Sequence, residues 1–259
     1  MGPRFGACLP AVDLSETIGE ITGARVERVE RLQSLWDGYG EIVRAWLAED
    51  RTVIAKNVRA PADAHPRKKR SYEVELEFYR RWAPRCDEHC RVAKLVGHRG
   101  NVVVLEDLGS EHPELETCVD WLAAFHMRFL GAEPQGLWKI GTYWHLATRP
   151  DELARMRDAD LKRRAPELDR ALREAKFQTI VHGDAKPENF LGDAAVDFQY
   201  VGGGPGIVDV AYLLWRERDE ERLLRDYLSK LPREIAKEWG ALYDTARDDF
   251  RRFLDGWRR

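Results

Sequence analysis

The residues of this chain best suited to chemistry lie between Ile180 and Asp209. Two short apolar segments, Ile180-Val181 and Ala195-Val196, each lead into a polar cluster. The first cluster is His182-Gly183-Asp184, and the second is Asp197-Phe198-Gln199. Polar side chains at the end of a short buried strand leave the core and become available for chemistry.

A short hairpin is predicted between the two clusters. Phe190-Leu191 and the second apolar segment have strand character, and Gly192-Asp193 between them is a typical turn pair. Such a hairpin places Asn189 and Asp197 together at its open end. We therefore expect Asp184, Asn189 and Asp197 to converge on one small volume.

Two carboxylates and an amide at one point have the chemistry to bind a magnesium nucleotide. Their oxygens are hard ligands that suit Mg²⁺, which takes its other ligands from water and phosphate. A second carboxylate on a loop can orient a hydroxyl nucleophile, and phosphoryl transfer is catalysed mainly by positioning and charge neutralisation. In the catalytic loop of kinases an Asp precedes the metal-binding Asn by five positions, as Asp184 precedes Asn189 here.

The segment HGDAKPENF followed by VDFQ resembles the aminoglycoside phosphotransferase and choline kinase superfamily, within the wider protein-kinase-like fold. Asp-Phe-Gln in place of Asp-Phe-Gly is most similar to its ecdysteroid-kinase-like branch. The resemblance implies that ATP is the phosphoryl donor, that Asp184 is the catalytic base and that Asn189 and Asp197 hold Mg²⁺. It also implies that Lys186 neutralises the transferring γ-phosphate, the alternative being a solvated lysine. The alternative is that the motif matches this superfamily by chance and lies in an ordinary hairpin.

The fold implied by this resemblance is α+β and bilobal, with an antiparallel sheet plus a helix in the N-lobe and a mostly helical C-lobe. Residues 1–107 are expected to form the nucleotide-binding lobe, and residues 108–259 the catalytic and substrate-binding lobe. The apolar strand Val102–Leu105 changes abruptly to acidic residues and glycine, which is typical of a boundary. The resemblance implies that adenine hydrogen-bonds to the backbone there, at Glu106, Asp107 and Leu108.

Two further features fit a nucleotide site. Gly38 and Gly40 form a Gly-x-Gly turn between two predicted strands, where backbone N–H groups can approach phosphates; a plain hairpin is the alternative. Lys56 ends the β-rich segment Thr52–Lys56 one strand later, and the resemblance implies that it holds the α and β phosphates. The alternative is an exposed lysine at a strand end.

Tyr72–Trp82 has the apolar spacing of an amphipathic helix. Glu73, Glu75 and Glu77 are all candidates for the acid that orients Lys56 in kinases, and the family pattern points to Glu75. The preceding stretch, Pro61–Arg70, is expected to be a loop. Its Arg67-Lys68-Lys69-Arg70 run is either a solvated basic patch or a contact for an anionic substrate.

Other segments support weaker expectations. Residues 1 to about 30 are expected to be an N-terminal arm leading into a strand, and Gly202–Gly206 a mobile or tightly turned loop. His126 is expected to be a structural hydrogen-bonding residue. The aromatic segment from Trp138 to His145 fits core and a small-molecule wall equally well. Asp209 fits a helix start, and the resemblance implies that it also braces the catalytic loop.

Composition excludes several classes of function. A chain of 259 residues with 44% hydrophobic and 34% charged residues is typical of a globular protein. A net charge of −3 gives no basic field, so nucleic acid is not an expected partner. No apolar run reaches the roughly 20 residues of a membrane span, and the N-terminus lacks signal-peptide features, so a cytoplasmic location is expected. Cys8, Cys86, Cys90 and Cys118 are expected to be reduced thiols.

The sequence thus predicts an ATP- and Mg²⁺-dependent kinase that phosphorylates a hydroxyl of a small molecule, whose identity stays open, as does the oligomeric state. A non-catalytic nucleotide-binding pseudokinase would share the fold. A protein kinase is the other alternative. Against it, His-Gly-Asp replaces His-Arg-Asp, and no Ala-Pro-Glu segment follows the Asp-Phe pair.

Overall fold

The computed structural model describes residues 13–35 and 38–257. Residues 1–12 of the expected N-terminal arm, which include Cys8, and Trp36-Asp37, just before the Gly-x-Gly turn, lie outside the described residues. The helices are α1 Leu14–Thr22, α2 Pro66–Glu77, α3 Leu115–Arg128, α4 Pro150–Arg155, α5 Ala159–Arg173, α6 Ile207–Leu213, α7 Glu220–Ser229, α8 Arg233–Ala241 and α9 Tyr243–Trp257. The strands are β1 Val26–Ser34, β2 Gly40–Leu47, β3 Arg51–Val58, β4 Arg91–Val92, β5 Leu95–Arg99, β6 Val102–Glu106, β7 Thr179–Val181, β8 Phe190–Leu191, β9 Ala194–Ala195 and β10 Gly202–Gly204.

These elements form two compact units. One is drawn from Met1–Asp63 and Lys94–Asp107, and the other from Ala64–Ala93 and Leu108–Arg259. The first unit contains a five-stranded sheet in the order β1-β2-β3-β6-β5, in which every neighbouring pair is antiparallel. The second unit is mostly helical, with two small sheets. The predicted combination of an antiparallel sheet and a mostly helical part is therefore present.

Helix α1 covers one face of the first unit's sheet, because Ile18 packs with buried strand residues such as Val43, Ala55 and Val104. The N-terminal arm expected from the sequence is therefore wrong for residues 14–22. The helix has clear local signals, since the Asp13 side chain accepts a hydrogen bond from a first-turn N–H and Gly23 ends it in a left-handed conformation.

Helix α2 begins earlier than the sequence predicts. The loop expected over Pro61–Arg70 ends at His65, whose side chain caps the helix by accepting from the backbone N–H of Arg67 over 3.1 Å. Pro66 then occupies the first helical position, where its fixed φ is favourable and its missing N–H is not needed. The helix continues as a single π-helical turn over Phe78–Trp82. The basic run is therefore helical.

The glycine-rich segment after Gln199 is a strand and not a loop. Gly202–Gly204 pairs antiparallel with β7, the strand that precedes the first polar cluster. A Cβ at Gly202 would lie 2.3 Å from the carbonyl oxygen of Trp138, and one at Gly203 would lie 2.7 Å from that of Lys139. Glycine is present because backbone packs against backbone there. The expectation of a loop was wrong because it considered only the flexibility of glycine and not this packing.

Helix α9 is the centre of the C-terminal helices and packs against α4, α5 and α6. Helix α3 packs against α6, α7 and β7. The described helices include none with both the length and the apolar character to cross a membrane.

Candidate active site

The loop after β7 carries the first polar cluster and is shaped by Gly183. Its φ is +80°, and an added Cβ would lie 2.1 Å from the carbonyl oxygen of Tyr200. Only glycine fits this conformation and this approach. On the other side, the backbone N–H of Tyr143 donates to the Gly183 carbonyl over 3.0 Å. The loop that presents Asp184 is therefore held from both sides.

Asp209, on α6, anchors the same loop. Its carboxylate accepts from the backbone N–H groups of His182 and Gly183 over 2.6 and 2.9 Å, and it lies 3.1 Å from His126 Nε2. His126 is itself fully buried and bonds through Nδ1 to the hydroxyl of Tyr227 over 2.7 Å. The bracing role of Asp209 and the structural role of His126 agree with the expectations from the sequence.

His182 ties the loop to the second polar cluster. Its Nε2 lies 2.9 Å from the carbonyl oxygen of Val196, the residue before Asp197. Burial lowers the pKa of His182, so the ring is neutral at physiological pH, donates from Nε2 and leaves Nδ1 to accept from the Asp184 N–H over 3.3 Å. The imidazole thus shapes the site without needing to contact a substrate.

The predicted hairpin is present. Strands β8 and β9 pair antiparallel around Gly192-Asp193, and Val196 N–H donates to the Asn189 carbonyl over 2.9 Å. Strand β9 also pairs with β4, which runs parallel to it in the same small sheet. Asn189 and Asp197 therefore sit at the open end of the hairpin.

The side chains at this end suit a hard cation. Asn189 donates from Nδ2 to the carbonyl of Asp184 over 2.8 Å, which leaves Oδ1 as the amide atom able to bind a metal. Asp197 has a φ of +64°, an uncommon backbone conformation for a non-glycine residue. The described residues contain no cluster of three or more His, Cys, Asp or Glu that could hold a metal. An Asn–Asp pair completed by phosphate and water is nevertheless a sufficient set for Mg²⁺.

The electrostatics of Asp184 show that the acidic groups lie together. Burial and the charge of Asp197 raise the pKa of Asp184 to about 7, although Lys186 and hydrogen bonds with Tyr212 and Asn189 act in the opposite direction. A carboxyl group with a pKa near neutrality is suited to accept a proton. The structure therefore brings together four sequence-predicted residues, Asp184, Lys186, Asn189 and Asp197.

Two tyrosines lie beside Asp184, and one of them, Tyr212, was not a candidate from the sequence. Tyr212, on α6, hydrogen-bonds to both Asp184 and Tyr143, and burial raises the pKa of both phenols. Tyr212 lies three residues after Asp209 and so shares its helix face, which is the signal that could have found it. Tyr143 belongs to the aromatic segment whose role the sequence leaves open. It is a wall residue of the site, whereas its neighbour Trp144 is buried core.

The second polar cluster is joined to α2. Gln199 accepts hydrogen bonds from Lys68 Nζ over 3.0 Å and Ser71 Oγ over 3.3 Å. Phe198 stacks on Phe78, with ring centres 3.8 Å apart. The glutamine that replaces the usual glycine therefore links α2 to the loop of Asp197, which argues against a switch of the protein-kinase type at this loop.

Glu75 differs from the two other glutamates of α2. Glu73 pairs with Arg70 over 3.2 Å and Glu77 with Arg81 over 3.0 Å. Glu75 is buried, and its charge and that of Asp197 both raise the pKa of Tyr79. Among the three, the side chain near the candidate site is thus that of Glu75.

The remaining predicted residues lie in the first unit, apart from Leu108, which is the first residue of the Leu108–Arg259 segment of the second unit. Lys56 is buried on β3, on the sheet face opposite that of Ala55. Gly38 and Gly40 both have positive φ, and an added Cβ at Gly40 would lie 1.9 Å from the carbonyl oxygen of Asn57. Glycine is therefore required at Gly40, whatever binds there.

The carboxylates of Glu106 and Asp107, at the end of β6, accept hydrogen bonds from other residues of the first unit. Glu106 accepts from the backbone N–H of Lys94 over 3.1 Å. Asp107 accepts from Arg44 at both carboxylate oxygens, over 2.7 and 3.1 Å. A nucleotide role for this segment would therefore depend on its backbone groups.

Comparison with known proteins places the fold. The family model of the phosphotransferase enzyme family (APH) matches residues 40–243. A protein from Thermobifida fusca assigned as a fructosamine-3-kinase is 19% identical, with a TM-score of 0.54 over 92% of this chain and 98% of that one. Choline kinase LicA from Streptococcus pneumoniae is 15% identical, with a TM-score of 0.58 over 93% and 89%. The APH(2")-IIa enzyme in its streptomycin–ATP complex is 12% identical, with a TM-score of 0.56 over 90% and 87%.

Comparison with curated proteins returns no match. The structural neighbours confirm the predicted α+β, bilobal protein-kinase-like fold. The family match spans most of the chain and includes the catalytic loop, the hairpin and α6. The chain therefore belongs to the phosphotransferase enzyme family.

Proposed function

We propose that this protein transfers the γ-phosphate of ATP to a hydroxyl of a small molecule in a Mg²⁺-dependent reaction. The observation that carries the proposal is the meeting of Asp184, Asn189 and Asp197 at the mouth of one hairpin, beside Lys186. Two neighbours of similar fold are described in complexes with ATP and streptomycin and with ADP and hygromycin B. The Asp-Phe-Gln sequence keeps the ecdysteroid-kinase-like branch as the proposed subgroup.

Asp184 is the proposed base. In the transfer, a bond forms between the acceptor oxygen and the γ-phosphorus, the bond from that phosphorus to the leaving ADP oxygen breaks, and the acceptor proton passes to Asp184. The pKa of Asp184, raised to about 7 by burial and by Asp197, suits this exchange. Tyr212 hydrogen-bonds to the carboxylate and fixes its direction.

Asn189 and Asp197 would hold Mg²⁺, which neutralises phosphate charge when bound. Lys186 lies close enough to Asp184 to lower its pKa, and we assign it to the developing charge on the transferred group. We propose that Lys56 and the turn of Gly38 and Gly40, all in the first unit, bind phosphates, and that the backbone at Glu106, Asp107 and Leu108 binds adenine.

A library screen tests the proposal. Thermal shifts of the protein with a non-hydrolysable ATP analogue and Mg²⁺ identify acceptors among metabolites and drugs that contain hydroxyl groups. Acceptors that raise the Tm are then assayed for ADP release with ATP. We expect at least one to be phosphorylated by the wild type and not by Asp184→Asn. Nucleotide binding without turnover of any acceptor would instead support the pseudokinase alternative.

A further inference from the structure

Two arginines from distant parts of the sequence lie together in the second unit. Arg67, in the first turn of α2, donates from its guanidinium to the carbonyl of Thr148. Arg149 is the next residue in the chain, and its side chain is only 6% exposed. Arg67 is half-buried and keeps part of its surface accessible.

Carboxylates offset only part of the charge of this pair. Arg149 lies 3.5 Å from Glu152, but that carboxylate is also 3.6 Å from Arg155. Within residues 13–35 and 38–257, Arg67 makes no ion pair, and its guanidinium is bonded to an uncharged carbonyl. Burial and the neighbouring charge of Arg67 both lower the pKa of Arg149. Among these residues, the ion pairs of Arg149 and Arg67 therefore amount to one carboxylate, that of Glu152, which Arg155 also contacts. This arrangement favours an added anion.

The pair lies next to the catalytic loop. Arg149 donates from Nε to the carbonyl of Tyr143, and its guanidinium carbon is 5.8 Å from the centre of the Tyr143 ring. Tyr143 in turn donates its backbone N–H to Gly183, the residue before Asp184. One aromatic residue thus separates the arginine pair from the proposed base.

Tyr200, like Tyr143, lies near both the arginine pair and Asp184. Its ring centre is 5.9 Å from that of Tyr143. Burial, Asp184 and Asp197 raise the pKa of Tyr200, whereas Arg149 and Arg67 lower it. The phenol is therefore within electrostatic reach of both the acidic cluster and the arginine pair.

We propose that the acceptor carries an anionic group, a carboxylate or a phosphate monoester, that binds Arg67 and Arg149 while the acceptor hydroxyl faces Asp184. This inference rests on the proposed function and names the substrate class of the same site. Guanidinium groups bind both anions through paired hydrogen bonds. The same arginines repel an acceptor that carries a cation at this position, and so they discriminate by charge.

Binding of matched probes to the complex with ADP and Mg²⁺ tests this inference. The probes are D-gluconate, glucose 6-phosphate, glucose and choline, each titrated by calorimetry. We expect at least one anion to bind more tightly than glucose and choline, and the tighter anion identifies carboxylate or phosphate as the preferred group. Arg67→Ala should weaken binding of that anion about ten- to hundredfold, as expected for the loss of hydrogen bonds to a charged group.

Two variants serve as controls. Arg80→Ala removes an exposed arginine just after α2 and should leave the affinity for the anion unchanged. Arg149 is buried, and its alanine variant risks misfolding, so Arg149→Lys is used instead. It keeps the charge but loses the paired donors, and it should weaken anion binding less than Arg67→Ala while preserving the order of the probes.

Different results would overturn the anionic acceptor and the proposed phosphotransferase function. If wild-type protein binds the nucleotide but neither anion binds more tightly than glucose and choline, the inference of an anionic acceptor is overturned. Equal losses in Arg67→Ala and Arg80→Ala also overturn it, because the effect is then one of net charge. Absence of any Mg²⁺-dependent nucleotide binding by the wild type overturns the proposed function itself.

Discussion

Replacing the proposed base should stabilise the protein at alkaline pH. Burial raises the pKa of Asp184 to about 7, from an ordinary value of 3.8. The folded protein therefore holds this proton more tightly than the unfolded chain, and its stability falls as pH rises from about 3.8 to about 7. Above that range the full destabilisation by the buried charge is present. Asp184→Asn removes the charge at nearly constant size.

The size of the effect follows from the shift. The difference of about 3 pKa units corresponds to about 4 kcal/mol at 1.36 kcal/mol per unit. This is an upper limit, since Asp184 is only half-buried and water screens part of the charge. Half of it, about 2 kcal/mol, corresponds to a rise in Tm of about 4–8 °C for a protein of this size.

Scanning calorimetry of the nucleotide-free protein at pH 5 and pH 8 measures this difference. We expect Asp184→Asn to unfold at a higher temperature than wild type at pH 8 and to differ by less than half as much at pH 5. ADP release by the same samples should fall by orders of magnitude, because the proton acceptor is lost. Asp193→Asn, at an exposed position in the turn of the same hairpin, is the control and should show no gain at pH 8.

A variant that is no more stable than wild type at pH 8 would refute the reasoning about burial and repulsion at Asp184. An equal gain at both pH values would also refute it, because the gain would then not come from titration. Undiminished turnover would remove Asp184 from the role of base.

Three further outcomes are expected. The kcat/KM of the wild type should rise with pH through the region near 7, as Asp184 loses its proton, and a flat pH profile would contradict this. Lys56→Ala should weaken ATP binding by about tenfold, since the cation proposed to bind phosphate is lost; calorimetry measures the affinity, and Arg51→Ala, exposed on the same strand, is the control. Gln199→Ala should lower stability by about 1–2 kcal/mol, since two hydrogen bonds to α2 are lost, and an unchanged Tm would show that this link is not stabilising.

The hairpin and the catalytic loop could be predicted from the sequence because their signals are local. Gly192-Asp193 defines the turn, and its register places Asn189 beside Asp197 without information from the rest of the chain. The spacing of Asp184 and Asn189 lies within one loop and a short 3₁₀ turn. Local spacing was therefore enough to find the acidic cluster.

Features that depend on distant partners could not be predicted in this way. Gly202–Gly204 is a strand because backbone from Trp138 to Gly141 packs against it, and glycine alone suggests a loop. Tyr143 and Tyr212 meet at Asp184 although they are 69 residues apart in the sequence. The proximity of Arg67 to Arg149 likewise depends on tertiary structure. The sequence showed only a basic run that could be either a solvated patch or a contact for an anionic substrate.

The central claim is that Asn189 and Asp197 hold the magnesium of a nucleotide. Calorimetric titration with a non-hydrolysable ATP analogue, with and without Mg²⁺, tests it most directly in the wild type and in Asp197→Ala. We predict that Mg²⁺ strengthens binding to the wild type by at least about tenfold, as expected for charged ligands, and has little effect on Asp197→Ala. Equal dependence on Mg²⁺ in the two proteins would contradict the account.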